Sequence, residues 1–384
     1  VGADEPIHLF VPTFDIESCI REMRDSLERG WTGMGDKALV FEKKWAEHTG
    51  RSFVHFLNSA TSALHLAVEL LAEKHEWSED AEVITTPITF VSTNHAILYE
   101  GFTPVFADVD LSGCLDPASV EASITDRTRA VMFVGLGGNV GRLGEIAALC
   151  RRRNLQLILD AAHMAGTRLK SGGDATFGAD AVTYSFQAVK NLPTGDSGAV
   201  SFLDAELDRR ARALSWLGID KDTYTRTLQK GRYRWDYDVP DVGYKYNGNS
   251  MMAGIALSQL PLLDRDNAYR RALADHYITC LRNSEQPNVV AIEHDASCIS
   301  SRHLFQVLIP GRDAVMMKLN AMGIFPGVHY KSNTVYAPYV GARGATTCTQ
   351  ALRLSGSLMS LPLHLRMSYA AVERVVRSLS EVMS

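Results

Sequence analysis

No run in this chain approaches the ~20 consecutive apolar residues of a membrane span. Its opening, Val1-Gly2-Ala3-Asp4-Glu5-Pro6, offers neither a basic nor an apolar leader segment, so a soluble, cytoplasmic protein is expected. Paired cysteines are missing as well. The six thiols, Cys19, Cys114, Cys150, Cys280, Cys298 and Cys348, are scattered without a C-x-x-C spacing. That pattern argues against a zinc site or a disulfide framework and leaves reduced, incidental cysteines. Positive charge is not in excess either. A formal net charge of -5 excludes the basic footprint of a general nucleic-acid binder. There is no Gly/Ser or Pro-rich linker, internal repeat or low-complexity tract. Yet 384 residues exceed the roughly 250–300 that one core supports, so a large and a small domain in close contact are expected.

What is present is strand–helix alternation. Apolar runs at Ser52–Leu57, Glu82–Thr86, Pro104–Val109, Ala130–Val134, Leu155–Leu159, Ala181–Phe186 and Gly198–Phe202 read as seven strands, several nearly continuous in Val, Ile, Leu and Phe. Between them lie helical stripes, one through Ala63, Leu64, Ala67, Val68 and Leu71, another through Leu143, Ile146, Ala147 and Cys150. Such alternation predicts an α/β fold with a mainly parallel sheet. After about residue 245 the texture changes. A long helical pattern covers Ser250–Asn283, strands follow at Val289–Ile292 and Leu304–Ile309, and helices at Asp313–Met322 and Tyr369–Met383. We expect a large domain over residues 1–245 and a smaller α+β domain over 246–384. The charged, aromatic stretch Asp220–Asp241, with Arg232 and Arg234, reads as a loop at an interface, over a site or simply on the surface.

Four features carry chemistry. The run Leu155–Leu159 ends in Asp160-Ala161-Ala162-His163, which puts a carboxylate at the carboxyl end of a buried strand, where ligands of parallel sheets collect. A salt bridge or a cap is the alternative reading. The run Ala181–Phe186 contains Ser185 and leads to Lys190 in an apolar setting. A dry site disfavours the ammonium and supplies the neutral amine that imine chemistry needs, although an isolated lysine of this kind also fits the surface. Asn58-Ser59-Ala60-Thr61-Ser62 joins a strand to a helix and offers free backbone N–H groups to an anion, or an ordinary cap. Phe90 follows another strand and would stack on a planar ligand or fill the core. Together these features match pyridoxal 5'-phosphate (PLP), which needs a lysine for the imine, an acid against its pyridine nitrogen and a phosphate cradle.

At these residues the chain resembles the DegT/DnrJ family of PLP-dependent sugar aminotransferases of fold type I, and within it the UDP-4-amino-4-deoxy-L-arabinose aminotransferase subgroup. The resemblance runs through Trp31-Thr32-Gly33, Phe41-Glu42, Ser59-Ala60-Thr61, Thr103 to Asp110, Asp160 to His163, Ser185-Phe186, Lys190-Asn191, Gly243 to Asn247, Gly327 to Tyr330 and Leu361 to His364. It implies that Lys190 carries the cofactor, Asp160 pairs with the pyridine nitrogen and His163 lies near the ring oxygen. Thr61, Ser62 and Ser185 would hold the phosphate, Phe90 would stack on the ring, and Asn247 would reach the phosphate of a neighbouring subunit in a homodimer. His329 and Tyr330 would face substrate, with a structural role equally open for His329. For His303 a satisfied core or interface histidine is the reading.

The implied reaction takes an amino group from an amino acid, L-glutamate or L-glutamine, through the pyridoxamine phosphate form, to a keto group on a sugar-like, nucleotide-linked acceptor. Arg232 and Arg234 would meet an anionic acceptor or solvent. Relatives commonly carry a histidine after the valine where this chain has Val134-Gly135-Leu136-Gly137-Gly138-Asn139. We read that glycine cluster as a turn, since it lacks the spacing of a dinucleotide fingerprint. Other readings are a sugar dehydratase, whose family members replace the lysine by histidine, a non-catalytic PLP-binding regulator, and a nicotinamide-dependent oxidoreductase.

Overall fold

The computed structural model describes residues 5–220, 237–284 and 288–383; Arg232 and Arg234 lie outside them. Seven strands form the central sheet: β1 (Phe53–Leu57), β2 (Glu82–Thr85), β3 (Thr103–Phe106), β4 (Thr128–Val134), β5 (Gln156–Asp160), β6 (Ala181–Ser185) and β7 (Gly198–Phe202). Each coincides, within a few residues, with one of the seven apolar runs. Their spatial order is β1-β7-β6-β5-β4-β2-β3. Only β7 runs against its neighbours; β6, β5, β4, β2 and β3 pair in parallel. Both faces are buried. Val131, Phe133, Leu157 and Leu159 pack into one apolar cluster, while Ala130, Met132 and Ile158 from the same strands pack into another on the opposite face, as side-chain alternation along a strand requires.

This arrangement directs the carboxyl-terminal ends of β1 to β6 to one edge. After β1 the chain turns through Asn58 and Ser59 into the helix Ala60–Lys74, and the Ser59 side chain caps the N–H of Ser62. After β2 it enters the helix Val91–Tyr99. β4 runs into the glycine turn, β5 ends on Asp160 and β6 ends on Ser185.

The second core gathers Ile7, Leu273, Tyr277, Phe305, Val307, Met359 and Val375. Its sheet is antiparallel, β8 (Val290–Ala291), β9 (Phe305–Leu308) and β10 (Leu358–Leu361), covered by the helices Leu263–Asn283 and Tyr369–Met383. The chain start joins this body, because Ile7–His8 pairs in parallel with Ile324–Phe325. Conversely, the helix Ser250–Gln259 packs on the helices Ile16–Glu28 and Asp36–Thr49. The helix expected over Ser250–Asn283 is not continuous. It breaks at a single 3-10 turn, Leu260–Leu262, between Ser250–Gln259 and Leu263–Asn283. Pro261 sits in that turn, has no N–H to donate and crowds the preceding turn.

Candidate active site

The strand ends open on a cavity of about 430 Å³ lined by Thr61, Phe90, Asp160, His163, Ser185, Lys190, His329 and Tyr330, with Phe10, Val134 and His303 completing its wall. Eight of the ten residues expected from the sequence to form the site therefore meet in one place. Ser62 and Asn247 do not line it. Ser62 is buried, its hydroxyl donates to Asn58 Oδ1 at 2.6 Å and its N–H to Ser59 Oγ at 3.1 Å, so it holds the turn. Asn247 pairs with Leu57 through its backbone, its Nδ2 donates to Gly248 O at 3.0 Å, and its Oδ1 is buried without a partner.

Asp160 is buried at 4% exposure. Oδ2 accepts from Thr93 Oγ1 at 2.7 Å and Oδ1 from the Ala162 N–H at 3.0 Å. Burial pushes its pKa up; these two donors and the nearby Lys190 oppose the rise. Among the described residues no ion-pair partner lies within 4.0 Å of it. A buried carboxylate with neutral donors only is a site for a cation, and the protonated pyridine nitrogen of PLP is one.

Lys190 follows β6 by five residues and is half-buried, with its amine on the cavity. Desolvation lowers its pKa to about 8, Asp160 opposing the shift. The shift brings a usable fraction of neutral amine, the form that captures an aldehyde, close to physiological pH.

The phosphate end of the fit lies at Ser59-Ala60-Thr61, the first turn of a 15-residue helix. Gly198 of β7 permits this turn to come close: a Cβ there would lie 2.5 Å from Ala60 N and Ser59 C. The turn therefore rests on the sheet, and the start of its helix borders the cavity, a position suited to a phosphate. Ser185 Oγ lines the same end. Phe90 is 58% exposed on the cavity side and packs at 6.1 Å from Tyr330, an open aromatic face rather than a core residue. The residues present fit PLP.

The cavity lining also carries three histidines, His163, His303 and His329. His163 is buried. The Gly137 N–H donates to its Nδ1 at 3.1 Å, so the neutral ring bears its hydrogen on Nε2, which donates to Tyr330 Oη at 3.1 Å. Burial and Lys190 hold His163 well below the usual histidine pKa, and burial lowers His329 to about 4. The glycine cluster is a turn, as expected. At Gly135, where the family resemblance implies a histidine, a Cβ would lie 2.0 Å from Met164 Sδ; Met164 fills the space that side chain would need. Sequence reasoning missed Phe10, Thr93 and the cavity position of His303. Phe10 stacks on His303 at 5.5 Å and meets His329 edge-on at 5.7 Å, and nothing local to residue 10 announces this.

Comparison with known proteins agrees with the geometry. The model of the DegT/DnrJ/EryC1/StrS aminotransferase family matches residues 15–380. The spore coat polysaccharide biosynthesis protein SpsC of Bacillus subtilis is 38% identical over 264 residues, 68% of this chain and 66% of that protein. Among solved structures, the aminotransferase TlmJ of Streptoalloteichus hindustanus superposes with a TM-score of 0.89 at 30% identity, covering 98% of this chain and 99% of TlmJ. Spr1654 of Streptococcus pneumoniae, described as a sugar aminotransferase, is similar in its PLP form, with a TM-score of 0.88 at 26% identity over 98% of both chains; its structure is also known in the PMP form. This chain belongs to the DegT/DnrJ/EryC1/StrS family and is a PLP-dependent aminotransferase of fold type I.

Proposed function

We propose that the enzyme moves an amino group from an amino acid, L-glutamate or L-glutamine, to the keto group of a nucleotide-linked sugar, with chemistry close to that of the UDP-4-amino-4-deoxy-L-arabinose subgroup. The observation that carries this reading is that Lys190, with its lowered pKa, and the buried Asp160 face one cavity. When bound, PLP supplies an electron sink for the charge left as a Cα–H bond breaks. Asp160 holds the proton on the ring nitrogen, and the Thr93 and Ala162 donors keep its carboxylate oriented. Thr61, the Ser59 turn and Ser185 bind the phosphate. Phe90 and His163 orient the ring. The Lys190 amine, freed when the donor displaces it, takes a proton at Nζ from the donor's α-carbon and would pass it to the cofactor's C4′. Two copies acting as a homodimer would bring Asn247 of each to the other's phosphate. Lys190 in the cavity favours amine transfer over dehydration, since dehydratases of the family carry histidine there.

The test converts the PLP-loaded protein to its pyridoxamine form with L-glutamate, then screens keto-sugar nucleotides for return of the visible absorbance. Lys190→Ala should reduce turnover by at least ~10⁴-fold. Wild-type turnover in that variant, or no acceptor restoring absorbance in the native enzyme, sinks the reading.

A further inference from the structure

Two neutral histidines in the cavity wall are held as opposite tautomers, and hydrogen-bonding groups of fixed polarity determine which is which. Backbone carbonyls accept and backbone N–H groups donate. Asn267 Nδ2 faces the carbonyl of Ala165 at 2.9 Å, so Asn267 presents Oδ1 to Asn191. Asn191 Nδ2 donates there at 2.6 Å and to the carbonyl of Ser301 at 2.8 Å. Its Oδ1 is thereby left as the atom 2.9 Å from His303 Nδ1, so Nδ1 must carry the hydrogen. The groups acting on His303 are His163, Lys190, Arg270 and His329, with no carboxylate among them; together with burial they keep the ring neutral. Nε2 then bears a lone pair, and among the described residues no protein donor meets it. His163 is the reverse, with Nδ1 accepting and Nε2–H donating. The two rings lie 4.4 Å apart. Among the described residues the charged side chains of the cavity lining are Lys190, Asp160 and Asp196, with no arginine among them.

We propose that His303 is a specificity-determining residue whose Nε2 accepts a hydrogen bond from a hydroxyl of the sugar acceptor, and that Asn191 is the positioning residue that fixes it in this role. This rests on the sugar-acceptor reading above and deepens it. A keto or ether oxygen cannot give a hydrogen to Nε2; a hydroxyl can. A deoxygenated analogue would leave the lone pair unsatisfied, and losing a partner for a buried polar group is the strongest basis for discrimination available to a neutral site.

The first test reads the tautomer directly. In the unloaded wild-type protein with ¹⁵N-labelled histidine, the His303 signals, assigned by their loss in His303→Gln, should show a protonated Nδ1 and an unprotonated Nε2 at pH 7.5. A protonated Nε2 overturns the proposal. The second test uses the pyridoxamine-form enzyme and the keto-sugar nucleotide found in the screen. His303→Phe should raise the acceptor KM at least tenfold and change kcat by less than threefold, while His303→Gln, whose amide oxygen can stand near the Nε2 position, should recover much of the loss. Equal loss in KM and kcat, or none, overturns it. If wild-type enzyme accepts no keto-sugar at all, the acceptor reading itself fails and the hydroxyl assignment falls with it. A normal acceptor reaction that His303→Phe does not weaken overturns the inference alone.

Discussion

The two walls of the cavity are built on different physics. The wall formed by the sheet edge holds the charge: Asp160 buried with neutral donors only, Lys190 with its pKa depressed, and a helix N-terminus seated against Gly198. The facing wall, Phe10, His303, His329 and Tyr330, is neutral, with both of its histidines held well below their usual pKa. One wall is prepared for an anionic, electron-withdrawing cofactor. In the function proposed above, the other would read shape and hydrogen-bond direction. On that reading the cofactor side would gain strength from desolvated charge, and the substrate side selectivity from groups that have given up theirs.

Removing charge from the first wall should have the largest effect on this contrast. Asp160→Asn keeps the side chain's shape but cannot hold the ring-nitrogen proton, and turnover at saturating PLP should fall by ~10²–10³-fold, measured by steady-state kinetics. A loss under fivefold would show that Asp160 is a structural group. The next effect concerns pH. The reactive form of Lys190 is the neutral amine, populated above its pKa of about 8. The rate of PLP capture by unloaded protein should therefore rise about tenfold per pH unit below 8 and level off above it; stopped-flow absorbance would follow it. A rise that continues to pH 10 would mean an ordinary, solvated lysine. The smallest change belongs to the neutral wall. Tyr330→Phe leaves His163 Nε2–H without its acceptor and should lower acceptor kcat/KM about tenfold, the scale of one hydrogen bond of ~1–1.5 kcal/mol. A thousandfold loss would make Tyr330 part of the proton-transfer machinery and blur the division between the walls.

The charged wall was also the legible one. Strands buried on both faces announce themselves as unbroken apolar runs, and an acid or a lysine just after such a run falls at the edge where ligands of parallel sheets collect. Asp160 and Lys190 could be found for that reason. Thr61 and Ser62 were indistinguishable by composition, and only the cap geometry separates the residue at the cavity from the one that holds the turn. The break at Pro261 carries a local signal, since a proline interrupts a helix's hydrogen bonding, but the pattern over Ser250–Asn283 reads as one helix from its apolar periodicity. His303 looked like a core residue, and in burial it is one, at 1% exposure; its role depends on Asn191, Asn267 and two carbonyls that no local pattern reveals. Phe10 was invisible for a related reason, since its partners lie at the other end of the chain.

Such distant partners also shape how the protein reaches its native state. The pairing of Ile7–His8 with Ile324–Phe325 brings Phe10 to its histidines across most of the chain, a closure whose entropy cost must be met before the contact stabilises anything. The charged wall closes a shorter span, from Ser59 to Gly198, through the pairing of β1 with β7. The cofactor side is therefore expected to assemble early during folding and the selective side late, so a partly folded chain would hold PLP before it could discriminate among sugars.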